Sequence, residues 1–506
     1  MNHATRQVPR RRRTRRGRSA AVGFVLTGVT AAGVLGAHGA PDNFVAPSAP
    51  GTGAGSPLIT KEIDDIVMGY LESKKIPGAT VAVTKNGRLV LSKAYGLADL
   101  EDQTPMQPWH RTRIGSVSKV LTTIGALQLA EDGALDIDGH LYASSATPVW
   151  GSDPQQPPAI VHSGDGVLDD AGEYLAALTE GVRKFGPQPG SSQSSFLGPN
   201  APAYLSKGSY QANVTEALDW ATDMRVRHLL THTAGLLRSG NGEKAAAMLG
   251  KDVDDLTYPD VHWAMLAGAN GIPLTFRAET DRAYSNHGFG LVGQIMAEAT
   301  GTPYVDYMRA NVFQPLGLHH VVPRDLESEL GERDATSYAY NSAGDPVLPS
   351  KKYQEVRDTP AISTSTGGWV ATAQDLVRVM CGIDGVNNHL RLLTPESAET
   401  MATVPYPHAK SDQPLGWDFR SGTPAVTKSG STPRGGGARI TKYLPGGLAD
   451  AEINVAVATN RRGSPPVSLL RNIADVAADA DLPADYDLFP GRYRCVTDTR
   501  SWITSR

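Results

Sequence analysis

Strand signals in this 506-residue chain cluster at its two ends, and that arrangement most restricts what it can fold into. Residues 79–84 and 88–92 read as strands joined by Asn86-Gly87, the strongest two-residue hairpin signal. A third strand is expected to end near Tyr95-Gly96. Towards the C-terminus, residues 425–427, 438–444 and 453–458 read as strands, and a helix follows over about 466–480. Helical spacing fills the rest. Ile59, Ile63, Ile66, Val67 and Tyr70 predict a helix stopped by Pro77-Gly78. Val117, Val120, Leu121, Ile124 and Leu127 lie on one helical face, with Gly133 as its C-cap. Further helical signals stand at 226–231 and 288–299. The pattern predicts one α/β (α+β) layer closed by N- and C-terminal strands, with a helical region inserted. No internal repeat is visible.

The net charge of −4 conceals an asymmetry. Residues 1–40 hold eight of the 48 basic side chains and no acidic one, leaving 40 basic against 52 acidic in the remainder. An acidic body argues against a nucleic-acid partner, which needs clustered Lys and Arg. The arginine-rich head runs into an apolar stretch at 20–36, the length of a signal h-region, and then into Ala37-His38-Gly39-Ala40. Residues 1–40 are therefore expected to be a signal peptide and the protein secreted. The alternative is an uncleaved N-terminal anchor, the one route to membrane contact. Arg15-Arg16 fits a twin-arginine signal poorly. Residues 41–57, rich in Pro, Gly, Ser and Ala, read as a flexible linker. The main domain is expected at 58–485, with a long insertion over about 141–222 and a short tail at 486–506. Cys381 and Cys495 are the only cysteines, in no metal-binding spacing; a disulfide and two free thiols both fit the sequence.

Three short segments carry chemistry. Ser116 stands three residues before Lys119 at a helix start, which puts an amine one turn from a hydroxyl. An alcohol needs a neighbouring base, and a lysine serves as one when its pKa is brought down to about 7–8. Alone, this spacing arises by chance in any long chain. Tyr284-Ser285-Asn286 offers a phenol that can relay a proton and an amide that can hold a substrate carbonyl; a buried structural tyrosine is the plainer reading. Lys428-Ser429-Gly430-Ser431 follows an apolar strand start, where glycine lets a backbone approach a ligand and Lys and Ser can hold a carboxylate. Gly435-Gly436-Gly437 lacks the Gly-Lys-Ser/Thr that makes a phosphate loop.

Together these segments resemble the serine β-lactamase and penicillin-binding-protein superfamily, class C β-lactamases and D,D-carboxypeptidase and esterase relatives included. Ser116-x-x-Lys119, Tyr284-x-Asn286 and Lys428-Ser429-Gly430 occur in the family's order, with Ser429 where threonine is usual. Residues 228–236, 315–318 and 367–376 match framework segments of the same family. The resemblance implies an antiparallel sheet flanked by helices with a helical subdomain. It implies Ser116 as acylated nucleophile, Lys119 as its base and Tyr284 as proton relay. Asn286, Lys428, Ser429 and Gly430 would bind substrate, and the backbone N–H groups of Ser116 and Ser431 would form the oxyanion hole, where one donor is worth ~10²–10³ in rate. Neither metal nor cofactor is implied. The expected partner is a small-molecule or peptide substrate: a cell-wall peptide, an ester or a β-lactam. D,D-carboxypeptidase-like peptidase comes first, because Lys428 favours a carboxylate; carboxylesterase, class C-like β-lactamase and a non-catalytic binding protein are the alternatives.

Other residues read as structural. His232 is expected to be a satisfied core histidine, and adjacent His319-His320 diverge on any helix and cannot share a metal. Trp369 and Trp417 read as core or cleft wall. Asn213-Val214-Thr215 fits a glycosylation acceptor, and Phe489-Pro490-Gly491-Arg492-Tyr493 resembles the opening of an appended barrel that residues up to Arg506 are too few to build.

Overall fold

The computed structural model describes residues 51–139, 141, 220, 223–239, 246, 252, 274–323, 331–349, 364–388, 390–409, 413–421 and 424–489. Residues 1–50, with the expected signal peptide, nearly all of the expected 141–222 insertion, Asn213, Cys495 and the residues beyond 489 lie outside them.

Asn86 and Gly87 both take positive φ (50° and 72°), the type I′ geometry that matches the twist of the strands it joins. Ahead of that hairpin lie β1 (Thr52–Gly55) and α1 (Pro57–Lys74); it joins β2 (Gly78–Lys85) to β3 (Arg88–Asp99). β3 runs unbroken past Tyr95 and Gly96, so the expected third strand is the far half of one long strand. Helix α1 buries Ile59, Ile63, Val67 and Leu71, one stripe at four-residue spacing, and closes on Lys75 at φ 52°, two residues before Pro77. Thr52–Gly55 falls in the segment expected to be linker, but pairs antiparallel with β3. Its order comes from backbone bonds to a neighbour, which composition does not reveal.

Between the chain ends are short strands: β4 (Thr104–Pro105) on β3, a small sheet of β5 (Thr112–Arg113), β6 (Val322–Pro323) and β9 (Trp369–Ala371), and the pair β7 (Ala339–Tyr340) and β8 (Pro346–Val347). The C-terminal strands are β10 (Phe419–Ser421), β11 (Ala425–Ser431), β12 (Gly437–Tyr443) and β13 (Ile453–Thr459). The main sheet is antiparallel, in the order β1-β3-β2-β13-β12-β11-β10. N- and C-terminal strands thus meet at β2 and β13, where Val81 faces Val457 in register.

Both faces of this sheet are covered, and side chains alternate between them. Val81, Val83, Ile453, Val455 and Val457 join α1 and α8 (Val467–Asp479) in one core. Ala82, Ala456 and Ala458 face the other core, with α2 (Ser118–Glu131), α4 (Asn286–Thr300) and α6 (Ala373–Asp384). The helical elements also include α3 (Val226–Thr231), α5 (Tyr304–Met308) and α7 (Pro395–Ala402). The apolar spacing of α2 predicts one buried face, yet every residue from Ser118 to Leu127 is buried. It is a core helix, enclosed all round. Trp369 and Trp417 are both buried in this second core. Cys381 is a buried free thiol, pushed up to about 12 by its burial.

Candidate active site

Ser116 sits in a tight turn, Gly115–Val117, that runs directly into α2. Gly115 takes φ 53°, and a Cβ there would lie 2.6 Å from the Ser431 nitrogen. Across the gap, a Cβ on Gly430 would lie 1.9 Å from the Ile114 carbonyl oxygen and 2.9 Å from the Ser116 nitrogen. Only glycine at both positions lets the turn and β11 touch. Contact brings the peptide groups of Ser116 and Ser431 together, and N–H groups in a first helical turn have no partner within the helix. β11 extends to Ser431, so Lys428, Ser429, Gly430 and Ser431 lie within the strand rather than after it.

Lys119 is wholly buried one turn beyond Ser116. Its Nζ lies 3.3 Å from Ser116 Oγ and donates to Asn286 Oδ1 at 2.8 Å and the Thr366 carbonyl at 2.5 Å. Burial, the largest influence, lowers its pKa to about 7; Asp418 opposes that shift and Arg238 adds to it. Tyr284 donates to Ser116 Oγ at 2.5 Å. The serine oxygen is therefore held between an amine and a phenol.

The Tyr284 segment is placed by helix capping. Ser285 is the N-cap of α4 and accepts from the Gly288 N–H at 2.9 Å, which leaves Tyr284 outside the helix and Asn286 at its first position. Ser285 Oγ also donates to the Leu237 carbonyl at 2.7 Å, and the Asn286 N–H donates to the Arg238 carbonyl at 2.6 Å. His232 backs this loop. Its ring lies 4.4 Å from that of Tyr284, and Nδ1 accepts from the Ser285 N–H at 3.2 Å. Burial first, then the charges of Lys428, Lys119 and Arg282, hold its pKa well below the ordinary value, so it is neutral. His320, by contrast, bonds Asp375 Oδ1 at 2.8 Å.

Lys428 is buried, and its Nζ meets Asp418 Oδ1 at 2.8 Å. Burial pushes the Asp418 carboxyl up, but the Lys428 charge and hydrogen bonds from Lys428 and Ser429 outweigh it, and the net shift is downward. Ser429 donates to Asp418 through both N–H and Oγ, at 2.7 and 2.5 Å. Lys428, which the sequence offers as a cation for a substrate carboxylate, thus has a carboxylate partner within the protein.

The structure thus places Lys119 and Tyr284 on Ser116 Oγ, Asn286 on Lys119, and Gly430 and Ser431 against the backbone of the Gly115–Val117 turn, with Lys428 and Ser429 on Asp418. Sequence reasoning missed Asp418, Thr366 and Arg238. Thr366 contributes only a carbonyl oxygen, which no residue type advertises. Asp418 stands ten residues before Lys428 and carries no motif of its own.

The sequence profile of the Beta-lactamase family matches residues 63–480. The chain belongs to the Beta-lactamase family. Its relatives include the human mitochondrial serine beta-lactamase-like protein LACTB, 25% identical over 315 residues covering 60% of this chain and 52% of that protein. Protein flp of Staphylococcus aureus strain N315 is 21% identical over 308 residues, 60% of this chain and 46% of the relative. The chain thus spans about half the length of the curated relatives it matches. Among solved structures, the octameric penicillin-binding protein homologue from Pyrococcus abyssi aligns with TM-score 0.52 at 20% identity, covering 82% of this chain and 77% of that one. FmtA from Staphylococcus aureus aligns with TM-score 0.53 at 18% identity, covering 85% and 91%. These likenesses show the β-lactamase and penicillin-binding-protein fold. Membership of this family supports a serine hydrolase.

Proposed function

We propose that the protein is an exported serine hydrolase that works through an acyl-enzyme at Ser116, acting first as a D,D-carboxypeptidase-like peptidase. The observation that carries the reading is the position of Ser116 Oγ, 3.3 Å from Lys119 Nζ and 2.5 Å from the Tyr284 hydroxyl. In its neutral form Lys119 accepts the hydroxyl proton as Oγ bonds to the substrate carbonyl carbon. The oxygen of the tetrahedral intermediate takes the negative charge and faces the N–H groups of Ser116 and Ser431. Collapse breaks the bond to the leaving atom, which receives the Tyr284 proton; the proton held by Lys119 restores the phenol. Water then attacks the acyl carbon, gives up one proton to the lysine–tyrosine pair, and Ser116 Oγ leaves with a proton. The balance is one bond hydrolysed by one water. The arginine-rich head and apolar stretch at residues 1–40 support export.

The test is covalent labelling with a fluorescent penicillin or a fluorophosphonate, on wild type and Ser116→Ala. Labelling of the wild type alone is expected; equal labelling of both removes Ser116 from the reaction. A panel of a D-Ala-D-Ala peptide, a chromogenic cephalosporin and a short-chain p-nitrophenyl ester then separates peptidase, β-lactamase and esterase. Turnover of the ester alone overturns the peptidase reading.

A further inference from the structure

Reading a carboxylate requires a cation whose charge is not already used. Three cations stand over the Tyr284 ring: Lys119 Nζ at 5.1 Å from its centroid, Lys428 Nζ at 5.4 Å and Arg238 Cζ at 5.6 Å. Lys428 is buried against Asp418. Lys119 is buried beside the nucleophile and held by Asn286 and Thr366. Arg238 alone of the three is exposed, and no Asp or Glu among the described residues pairs with it.

Arg238 is also held in place. Its carbonyl accepts the Asn286 N–H at 2.6 Å, and the preceding carbonyl, of Leu237, accepts from Ser285 Oγ at 2.7 Å. The guanidinium therefore rises from a loop strapped to the N-terminus of α4, the same point that presents Tyr284. Its Cζ lies 5.6 Å from the centroid of the phenol ring, and a guanidinium is a planar fork of donors that matches a carboxylate in bidentate fashion.

We propose that Arg238 binds a carboxylate carried by the leaving group of the substrate. The inference rests on the acyl-enzyme reading above, in which Tyr284 protonates the leaving atom. In a leaving amino acid the carboxylate carbon is two bonds from that nitrogen, so the group that reads it must stand next to the proton donor. Arg238 does, and Lys428 is already neutralised. The substrate class this selects is peptides and esters whose leaving portion ends in a free carboxylate, in preference to their amides or methyl esters.

The experiment compares two esters of one acyl group on the full chain, one with glycolate and one with glycolamide as leaving group, so that the carboxylate carbon stands two bonds from the leaving oxygen. The readout is the ratio of their kcat/KM values, in which any effect of the variant on Lys119 cancels because both esters share it. Wild type is expected to prefer the acid by about 10- to 100-fold, the size of one charge-assisted hydrogen-bonded contact. In Arg238→Gln the ratio is expected to fall to about 1, and in Arg238→Lys to lie between, because a lysine keeps the charge without the fork. A wild type that does not discriminate, or a ratio unchanged in Arg238→Gln, overturns the proposal. So does a ratio that collapses in Lys428→Gln and survives in Arg238→Gln, which would return the role to Lys428. If neither ester acylates the wild type, the acyl-enzyme reading itself fails and takes this proposal with it.

Discussion

An ammonium group taken out of water gives up its proton more readily, and Lys119, buried against the rings of Tyr284 and Phe289, has its pKa brought down to about 7. Below that pH it is charged and cannot accept the Ser116 proton; above it, it can. The second-order rate of labelling by a fluorophosphonate is therefore expected to rise through about pH 7 and level off, and a flat profile between pH 5.5 and 8.5 would remove Lys119 as base. The same shift acts on stability. In the unfolded chain the lysine titrates near the ordinary 10.5, so between about 7 and 10.5 the unfolded state binds more protons than the folded one. From this group, stability increases with pH across that window and is lowest below it. His232 follows the same burial rule and stays neutral, close enough to the Tyr284 ring to fix its position. A core histidine was legible in the sequence; its contact with the tyrosine was not, because it depends on a tertiary meeting of α3 with the start of α4.

At the scale of elements, the site is built where a turn, a helix start and a strand end converge, and glycine decides how close they come. Gly430→Ala places a methyl group against the Ile114 carbonyl and the Ser116 nitrogen. Forcing the strand off the turn is expected to destabilise the protein by about 3 kcal/mol and to slow labelling of Ser116 by about 100-fold as one oxyanion donor moves away. Thermal unfolding and labelling rate, measured on the same preparation, check both. Unchanged labelling would show that the approach of β11 is not needed for acylation. Here the sequence was informative to different depths. Ser116, Lys119, Tyr284 and Asn286 were legible because their motifs occur in the family's order with Lys428-Ser429-Gly430, each spacing being one that a helix start fixes locally. The roles of Asp418 and Arg238 were not. Asp418 comes into play only when β10 and β11 pair, through its N–H bond to Thr427, and Arg238 only when its loop is tied to α4.

For the whole molecule, the decisive feature is that β2, from the first hundred residues, pairs with β13, from the last sixty. Ending the chain at residue 452 removes β13 and α8 and leaves β2 and β12 without the strand between them. Such a truncation is expected to be unfolded by circular dichroism and unlabelled by fluorescent penicillin; a folded, labelled product would show that the sheet closes without β13. The two-ended strand pattern forecast this closure, since alternating apolar residues mark strands wherever they fall. It did not forecast β1, whose Thr-Gly-Ala-Gly sequence has no pattern to read, nor the burial of α2 on every side from Ser118 to Leu127, which tertiary packing imposes on an ordinary apolar stripe. The contact between Gly115 and Gly430 has a consequence for the protein's birth. A ribosome working through the interval from residue 116 to residue 431 has already displayed the serine, but the strand that seats its turn does not yet exist. Labelling of Ser116 is therefore expected only in chains that extend past β11.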